Sequence, residues 1–146
     1  MANYSTDPDL VKIRPNILEL GVASWNTQHT EAKAQIDRIL ESRWYNEVAA
    51  EHSINFRSTP FDADKCDAAQ LVRVACYKTL ELAYLFLMKD SPEPDGYERE
   101  MKLFGKMYKE ELNLILSLGV NYDWDDSDTI EDDERLLPRY RRTQRV

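Results

Sequence analysis

The sequence predicts an all-α fold: a small helical bundle of about four main helices with an extended C-terminal arm. Four segments carry apolar residues at helical spacing, and only four glycines against six prolines leave little material for strand turns. A chain of 146 residues can bury the core of one domain. We expect this bundle in residues 1–122, and an acidic turn followed by the arm in residues 123–146.

The third predicted helix, Asp64–Lys89, is expected to be the centre of the bundle, because it is apolar around most of its circumference. Its polar residues recur at intervals of three or four and form one narrow seam: Gln70, Arg73, Tyr77, Glu81 and Tyr84. A helix with so little polar surface must be covered by other elements. Its longest unbroken apolar run, Leu82–Met88, is far too short to cross a bilayer.

Two helices are predicted before the central one. Asp7 followed by Pro8 is a typical helix start, with Asp7 as the N-cap. The periodic pattern then runs to Gly21, and Pro15 is expected to kink or split it. A second, amphipathic helix of about twenty residues is expected to begin at a Ser24 cap.

The periodicity weakens over residues 45–62. Ile54, Phe56 and Phe61 argue against a disordered loop, so we expect this segment to pack on the bundle or on a partner.

The fourth predicted helix begins at Asp95, which forms a capping-box pattern with Glu98, and ends near Gly119. Gly105 in its middle is unfavourable by about 1 kcal/mol relative to alanine. A close approach to the central helix would explain this glycine.

Catalysis has little support in the sequence. His29 and His52 both lack a glutamate three residues before them, which a metal centre in a helical bundle would require. His29 lies on the apolar side of its helix and is expected to be a core residue. Neither a phosphate loop nor a nucleophile elbow is present, so we expect no enzyme, no cofactor and no metal.

The two cysteines are expected to be buried thiols. Cys66 and Cys76 are ten residues apart on one predicted helix, about 15 Å along its axis, which is beyond disulfide range. Free thiols are consistent with a reducing compartment, and no signal peptide is visible. We therefore expect a soluble intracellular protein.

Residues 123–134 hold eight acids and no base. With Asp123 as position one of a calcium loop, oxygen-bearing side chains follow at positions three, five, seven, nine and twelve: Asp125, Ser127, Thr129, Glu131 and Glu134. Asp128, however, occupies position six, where the sharp turn requires glycine, and no second copy of the loop exists. A calcium-responsive binding module is therefore the alternative function, and a solvated acidic turn is the simpler interpretation.

Residues 135–146 hold five arginines and no acid. The candidate partner-binding residues are Arg135, Arg139, Tyr140, Arg141, Arg142 and Arg145. Guanidinium groups pair in a forked geometry with the carboxylates of a protein or with the phosphates of a nucleic acid. Because the whole chain carries a net charge of −8, a protein partner is favoured over free nucleic acid.

The order of these features is distinctive, although no single motif is. An early helix with IRPNILELGV precedes the amphipathic AQIDRILESRW, the core QLVRVACYKTLELAYLFL and the long charged YEREMKLFGKMYKEELNLILSLGV. An Asp-rich turn, NYDWDDSD, and the arginine-rich end follow. Over most of its length, the chain resembles the head–tail connector (adaptor, or head-completion) proteins of tailed bacteriophages.

This resemblance implies a structural virion protein at the head–tail interface, made in the cytoplasm of a host bacterium and not bound to membranes. Members of the family are small helical bundles that form rings, commonly twelvefold, beneath the portal protein. The rings extend the DNA channel without sequence-specific binding and present a platform for tail or stopper proteins. In several members the C-terminal segment reaches the portal, a role that would fall here to Arg135–Val146.

Overall fold

The computed structural model describes residues 2–89, 91–131 and 134, and its helices confirm the predicted all-α bundle. The α-helices are α1 (Asp7–Ile13), α2 (Asn26–Leu40), α3 (Asn46–Val48), α4 (Ala68–Lys89) and α5 (Asp95–Leu118). α5 packs antiparallel along α4, while α1 and α2 pack on other parts of α4. Within the described residues, the one bridge of β type joins Cys66 and Tyr122.

α4 is the central helix, as predicted, because it contributes to two separate apolar clusters. Near its start, Leu71 and Val74 pack with Trp44 and Tyr122 in the first cluster. Near its end, the second cluster contains Leu80 and Ala83 of α4 together with Leu10, Ile17, Trp25 and Phe104 from the other elements. The burial of α4 on several sides accounts for its narrow polar seam.

The predicted start of the central helix at Asp64 is wrong by four residues. Ala63–Lys65 form a separate 3₁₀ turn, and α4 begins only at Ala68. The carboxylate of Asp62 accepts a hydrogen bond from the Asp64 N–H at 3.0 Å, and that of Asp67 accepts one from the Ala69 N–H at 3.1 Å. Such hydrogen bonds between side chains and the backbone compete with those of a continuous helix, so the 3₁₀ turn and α4 begin separately.

The predicted caps of the first two helices are displaced by one residue. The N-cap of α1 is Thr6, so Asp7 occupies the first helical position. α2 has Trp25 as its N-cap, with no side-chain cap from Ser24. The expected break at Pro15 is confirmed, because α1 ends at Ile13 and a 3₁₀ turn follows over Ile17–Glu19.

The two ends of segment 45–62 pack on the bundle, which was one of the two expectations for this segment, whereas residues 55–60, including Phe56, are exposed. A wide π-type turn, Glu41–Tyr45, extends α2 and places both Trp44 and Tyr45 in the core. The Tyr45 hydroxyl donates a hydrogen bond of 2.6 Å to the Thr59 carbonyl, and Phe61 packs against the same cluster. In the part of the chain that the structure describes, no helix is both long enough and apolar enough to cross a membrane.

Candidate functional site

The acidic segment leaves the end of α5 and returns to the start of α4. The Gln70 side chain donates to the Gly119 carbonyl at 3.0 Å and accepts from the Asn121 N–H at 2.8 Å. The Asp123 N–H then donates to the Lys65 carbonyl at 3.0 Å. These bonds hold residues 119–123 against the segment that precedes α4, so the acidic loop starts from a defined position.

Asp123 organises the first half of the acidic loop. Its carboxylate accepts hydrogen bonds from the backbone N–H groups of Ser127, at 3.1 Å, and Asp128, at 2.9 Å. The side chain is buried, with 5% of the residue exposed. Buried carboxylates need such partners because desolvation disfavours their charge.

Glu134 closes the second half of the loop. Its carboxylate accepts hydrogen bonds from the N–H groups of Trp124, Asp125 and Glu131, the last two at 3.1 and 2.9 Å. Glu134 is also buried, with 5% exposed. The described part of the acidic segment is therefore held by two buried carboxylates, and is not only a solvated turn.

Carboxylate oxygens converge at two places in this loop. One oxygen each from Asp123, Asp125 and Glu134 lie within 4.8 Å of one another, and so do oxygens from Asp123, Asp126 and Asp128. The first group comprises positions one, three and twelve of the predicted calcium loop, which supply hard oxygen ligands. The side chains at positions five, seven and nine are joined by hydrogen bonds, one between Ser127 and Thr129 and one from Thr129 to Glu131. The Ser127 hydroxyl also donates to Asp123 Oδ1 at 3.4 Å, so position five lies beside position one.

The loop also adopts the backbone turn that a calcium loop requires at position six. Asp128 has φ 66°, in the left-handed region that glycine occupies most readily. Aspartate tolerates this region better than most residues. The Ser127 hydroxyl and backbone, together with Asp123, lower the pKa of the fully exposed Asp125 carboxyl below its usual value.

Trp124 anchors the acidic loop to the bundle. Its ring stacks on His52, with 4.0 Å between ring centroids, and lies parallel to Tyr45 at 5.5 Å. Tyr122 contacts the same ring at 4.7 Å. Sequence reasoning missed this anchor, although Tyr122 and Trp124 alternate with acids, a pattern typical of an extended segment with one apolar side.

The predicted partner-binding residues, Arg135, Arg139, Tyr140, Arg141, Arg142 and Arg145, all lie outside the described residues. Glu134 is the last residue before them, and its position on the bundle defines where the arm begins.

His29 belongs to a buried polar cluster between α1, α2 and α4, which agrees with the expected core histidine. Its Nδ1 lies 2.7 Å from Ser5 Oγ, and its Nε2 lies 3.0 Å from Asp7 Oδ1. Thr79 of α4 completes the cluster. Ser5 is only 3% exposed, so this serine–histidine–aspartate arrangement has no access for a substrate and serves to join three elements.

The two cysteines are free thiols, as predicted. Cys76 is buried, while Cys66 is half-buried. Burial raises the pKa of the Cys76 thiol to about 12 and also raises the pKa of Cys66. Both groups therefore remain protonated and poorly nucleophilic at neutral pH.

Comparison of the chain with protein-family models, with curated proteins and with solved structures finds no match in any of the three. The site is therefore interpreted from its own residues.

Proposed function

We propose that this protein is a structural connector at the head–tail interface of a tailed-phage virion, without catalytic activity. The observation that carries the proposal is the order of elements along the chain. Three peripheral segments surround one core helix, a long charged helix follows, and an acidic loop on the bundle leads into an arginine-rich arm. The same order is what the sequence shares with connector proteins.

The charge of the chain supports this role. The wall of a channel through which DNA passes should not hold phosphate groups, and a net charge of −8 disfavours such contacts. The arm, in contrast, concentrates five arginines after an acidic loop. Arginine forks suit a carboxylate-rich groove on a portal protein. Several copies in one ring would add their individually weak arm contacts into a stable attachment.

The position of Glu134 supports an arm that acts from a defined origin. Glu134 is held in the acidic loop by three backbone donors, and Trp124 holds that loop on the bundle. An arm of twelve residues reaches at most about 40 Å when fully extended. It can therefore contact a neighbouring protein while the bundle keeps its own position.

The proposal is tested by imaging the full chain in negative stain, alone and mixed with the portal protein of the same phage. Rings with a central hole are expected in at least the second sample. A variant that lacks residues 135–146 should keep the helical circular-dichroism spectrum but lose binding to the portal. A matched variant with Arg139, Arg141 and Arg142 changed to glutamine should lose the same binding. Absence of rings in both samples would overturn the connector function.

A calcium-responsive binding module is the second candidate, favoured by the convergence of Asp123, Asp125 and Glu134. Three carboxylates at positions one, three and twelve supply the charge that a hard cation requires. A cation at this point would replace the backbone donors of Glu134 as its partners and thereby change the start of the arm.

Isothermal titration with calcium tests this candidate, with Asp128→Gly as the diagnostic variant. Glycine at position six accepts φ 66° without strain and removes the extra carboxylate. If the loop binds calcium, this variant should bind it more tightly, whereas Asp125→Asn should bind it more weakly. The absence of binding heat in all three proteins at millimolar calcium would eliminate the candidate.

A further inference from the structure

The start of α2 and the end of α4 form an open groove of about 580 Å³. Its α4 wall is apolar and consists of Leu82, Leu85 and Phe86. Phe86 is 44% exposed, whereas the two leucines are half-buried. An exposed aromatic ring beside a concave apolar wall is typical of a surface that binds another molecule.

Phe86 is held in place by the core beneath it. Its ring packs edge-on against Trp25, with 6.0 Å between the ring centroids. Trp25 is fully buried, and its indole N–H donates to the Ile17 carbonyl at 3.1 Å. The apolar wall is therefore already formed, so a ligand would not lose affinity by ordering it.

The α2 wall of the groove is polar and mostly uncharged. It is lined by Asn26, Thr27, Gln28 and Thr30. The Thr30 hydroxyl donates to the Asn26 carbonyl at 3.0 Å. The side-chain amides of Asn26 and Gln28, in contrast, form no hydrogen bond within the described residues. Each such amide has both donors and an acceptor, and thus complements the N–H and C=O groups of a peptide backbone.

α2 and α4 run antiparallel along this groove. Trp25, just before α2, packs on Phe86 near the end of α4. His29, four residues after Trp25, lies 3.4 Å from Thr79, which is seven residues before Phe86. The start of α2 therefore faces the end of α4.

The groove has one charged residue towards each end. Lys89 lies at the end of α4 and Glu31 lies further along α2, so the antiparallel packing separates them. Both residues are exposed. α4 rises about 10 Å between Leu82, on the side of Glu31, and Lys89. A ligand with an acid at one end and a base at the other would match this order of charges.

We propose that this groove binds an extended segment of another protein, with an apolar side chain on Phe86 and opposite charges on either side of it. In an extended strand, side chains two positions apart lie on the same side, about 6.6 Å from each other. An acid and a base placed two positions before and after the apolar residue are about 13 Å apart, which suits Lys89 and Glu31.

Other classes of ligand fit the groove less well. Lys89 is the one basic residue among the described residues that line it, whereas a nucleic acid needs several. The free amides of Asn26 and Gln28 suit a peptide backbone and not a lipid tail. The inference goes beyond the connector function and does not depend on it.

Titration of the full ¹⁵N-labelled chain with short peptides tests the inference through amide chemical shifts. The two probes are acetyl-Asp-Ser-Leu-Ser-Lys-amide and its reversed order, acetyl-Lys-Ser-Leu-Ser-Asp-amide, one for each chain direction. At least one should shift the amides of residues 26–31 and 82–89 at millimolar concentration. Alanine in place of the leucine of that probe should raise the dissociation constant by about tenfold or more.

Charge reversal in the groove separates a specific contact from an effect on folding. Lys89→Glu changes an exposed side chain and should raise the dissociation constant of the bound probe by about threefold. A probe with lysine in place of its aspartate should bind this variant better than it binds the original chain, because both ends of the groove are then acidic. Lys109→Glu, at an exposed residue of α5 that does not line the groove, is the matched control and should bind like the original chain.

Several results would overturn the inference. Neither probe shifts the groove amides, or the leucine and alanine probes bind equally well. N-acetyl-leucinamide binds as tightly as the peptides, which would make the groove a site for small apolar molecules.

Two further outcomes would assign the groove to this chain itself and also overturn the inference. Removal of residues 135–146 shifts the groove amides, which would place the chain's own arm there. Alternatively, the chain forms a dimer that Phe86→Ala dissociates, which would place a second copy there. None of these outcomes decides whether rings form with the portal, so the connector function is tested separately.

Discussion

The carboxylate of Glu81 on α4 lies against the backbone of Gly105 on α5, in the space that a Cβ atom at residue 105 would occupy. The same carboxylate pairs with Lys78 at 2.6 Å. Glycine in mid-helix is unfavourable by about 1 kcal/mol relative to alanine. The close approach predicted from the sequence is therefore present, and its partner is the end of a charged side chain.

Gly105→Ala is expected to have different effects on stability in two backgrounds. In the original chain the new methyl group displaces Glu81 from Lys78, so the gain in helix propensity is lost. In a Glu81→Ala background that obstacle is absent, and Gly105→Ala should raise the free energy of unfolding by about 1 kcal/mol. A double-mutant cycle in urea measures the coupling. Additive effects of the two substitutions would contradict this interpretation.

Tyr108→Phe is expected to keep or increase stability, by at most about 1 kcal/mol. The Tyr108 hydroxyl is buried without a hydrogen-bond partner among the described residues, so its removal eliminates an unsatisfied polar group. Tyr45→Phe is the matched control, because the Tyr45 hydroxyl donates to Thr59 at 2.6 Å. The control should lose about 1 kcal/mol. Equal losses of stability in both variants would show that the Tyr108 hydroxyl is not an unsatisfied polar group.

Stability is expected to fall at alkaline pH. Burial, aided by the negative charge of Asp9, raises the pKa of Cys76 from 9.0 to about 12, and burial with Glu81 raises that of Tyr108 from 10.0 to about 12. A group with a raised pKa stabilises the fold fully below its unfolded value, and this contribution is lost as the pH rises towards the folded value.

The decline should therefore begin near pH 9 and continue towards pH 12. Urea unfolding at a series of pH values measures it, and Tyr108→Phe should make the decline shallower above pH 10. A free energy of unfolding that stays constant over this range would show that these groups titrate normally in the folded protein.

Asp7→Ala is expected to lower the free energy of unfolding by about 2–3 kcal/mol. The Asp7 carboxylate accepts hydrogen bonds from the Ser24 hydroxyl at 2.9 Å and from the Trp25 N–H at 3.2 Å, and it also contacts His29 Nε2 at 3.0 Å. Asp7→Asn keeps an acceptor at the same place and should lose less. Thermal unfolding compares the two, and identical losses would assign the effect to charge alone.

Trp124→Ala is expected to release the acidic loop from the bundle and to lower stability by about 3 kcal/mol. Hydrogen exchange should accelerate in residues 119–131 while the middle of α4 stays protected. Phe56→Ala removes an aromatic ring that is 36% exposed and serves as the control, with an effect within about 0.5 kcal/mol. Unchanged exchange in the acidic loop would mean that Trp124 does not anchor it.

The helical class, the central helix and the break at Pro15 were predictable from the sequence, because each depends on local patterns. Apolar spacing along one segment defines which face is buried, and a proline interrupts helix wherever it lies in the interior. The predicted first and last residues of the helices were less accurate. Asp62 and Asp67 accept hydrogen bonds from nearby backbone N–H groups, and α4 begins only at Ala68. The spacing of the apolar residues does not predict this later start.

Positions one, three and twelve of the acidic loop were identified from their spacing, and the tertiary structure brings their oxygens together. The burial of Asp123 and Glu134 was not predicted. It depends on Trp124 stacking on His52, a residue more than seventy positions earlier. The roles of Arg135–Val146 remain predictions, since these residues lie outside the described part of the chain.

Periodicity in this chain determined which segments become helices, because helix formation and amphipathicity involve residues only three or four positions apart. Contacts between segments that are distant in the sequence decided how the helices pack and where the acidic loop is held. Asp7 accepts a hydrogen bond from Trp25 at the start of α2 instead of capping its own helix. The Glu81 carboxylate occupies the space beside Gly105. Gln70 holds Gly119 and Asn121 at the start of the acidic loop. Such partners are separated by tens of residues, so only the packed bundle brings them within hydrogen-bonding distance.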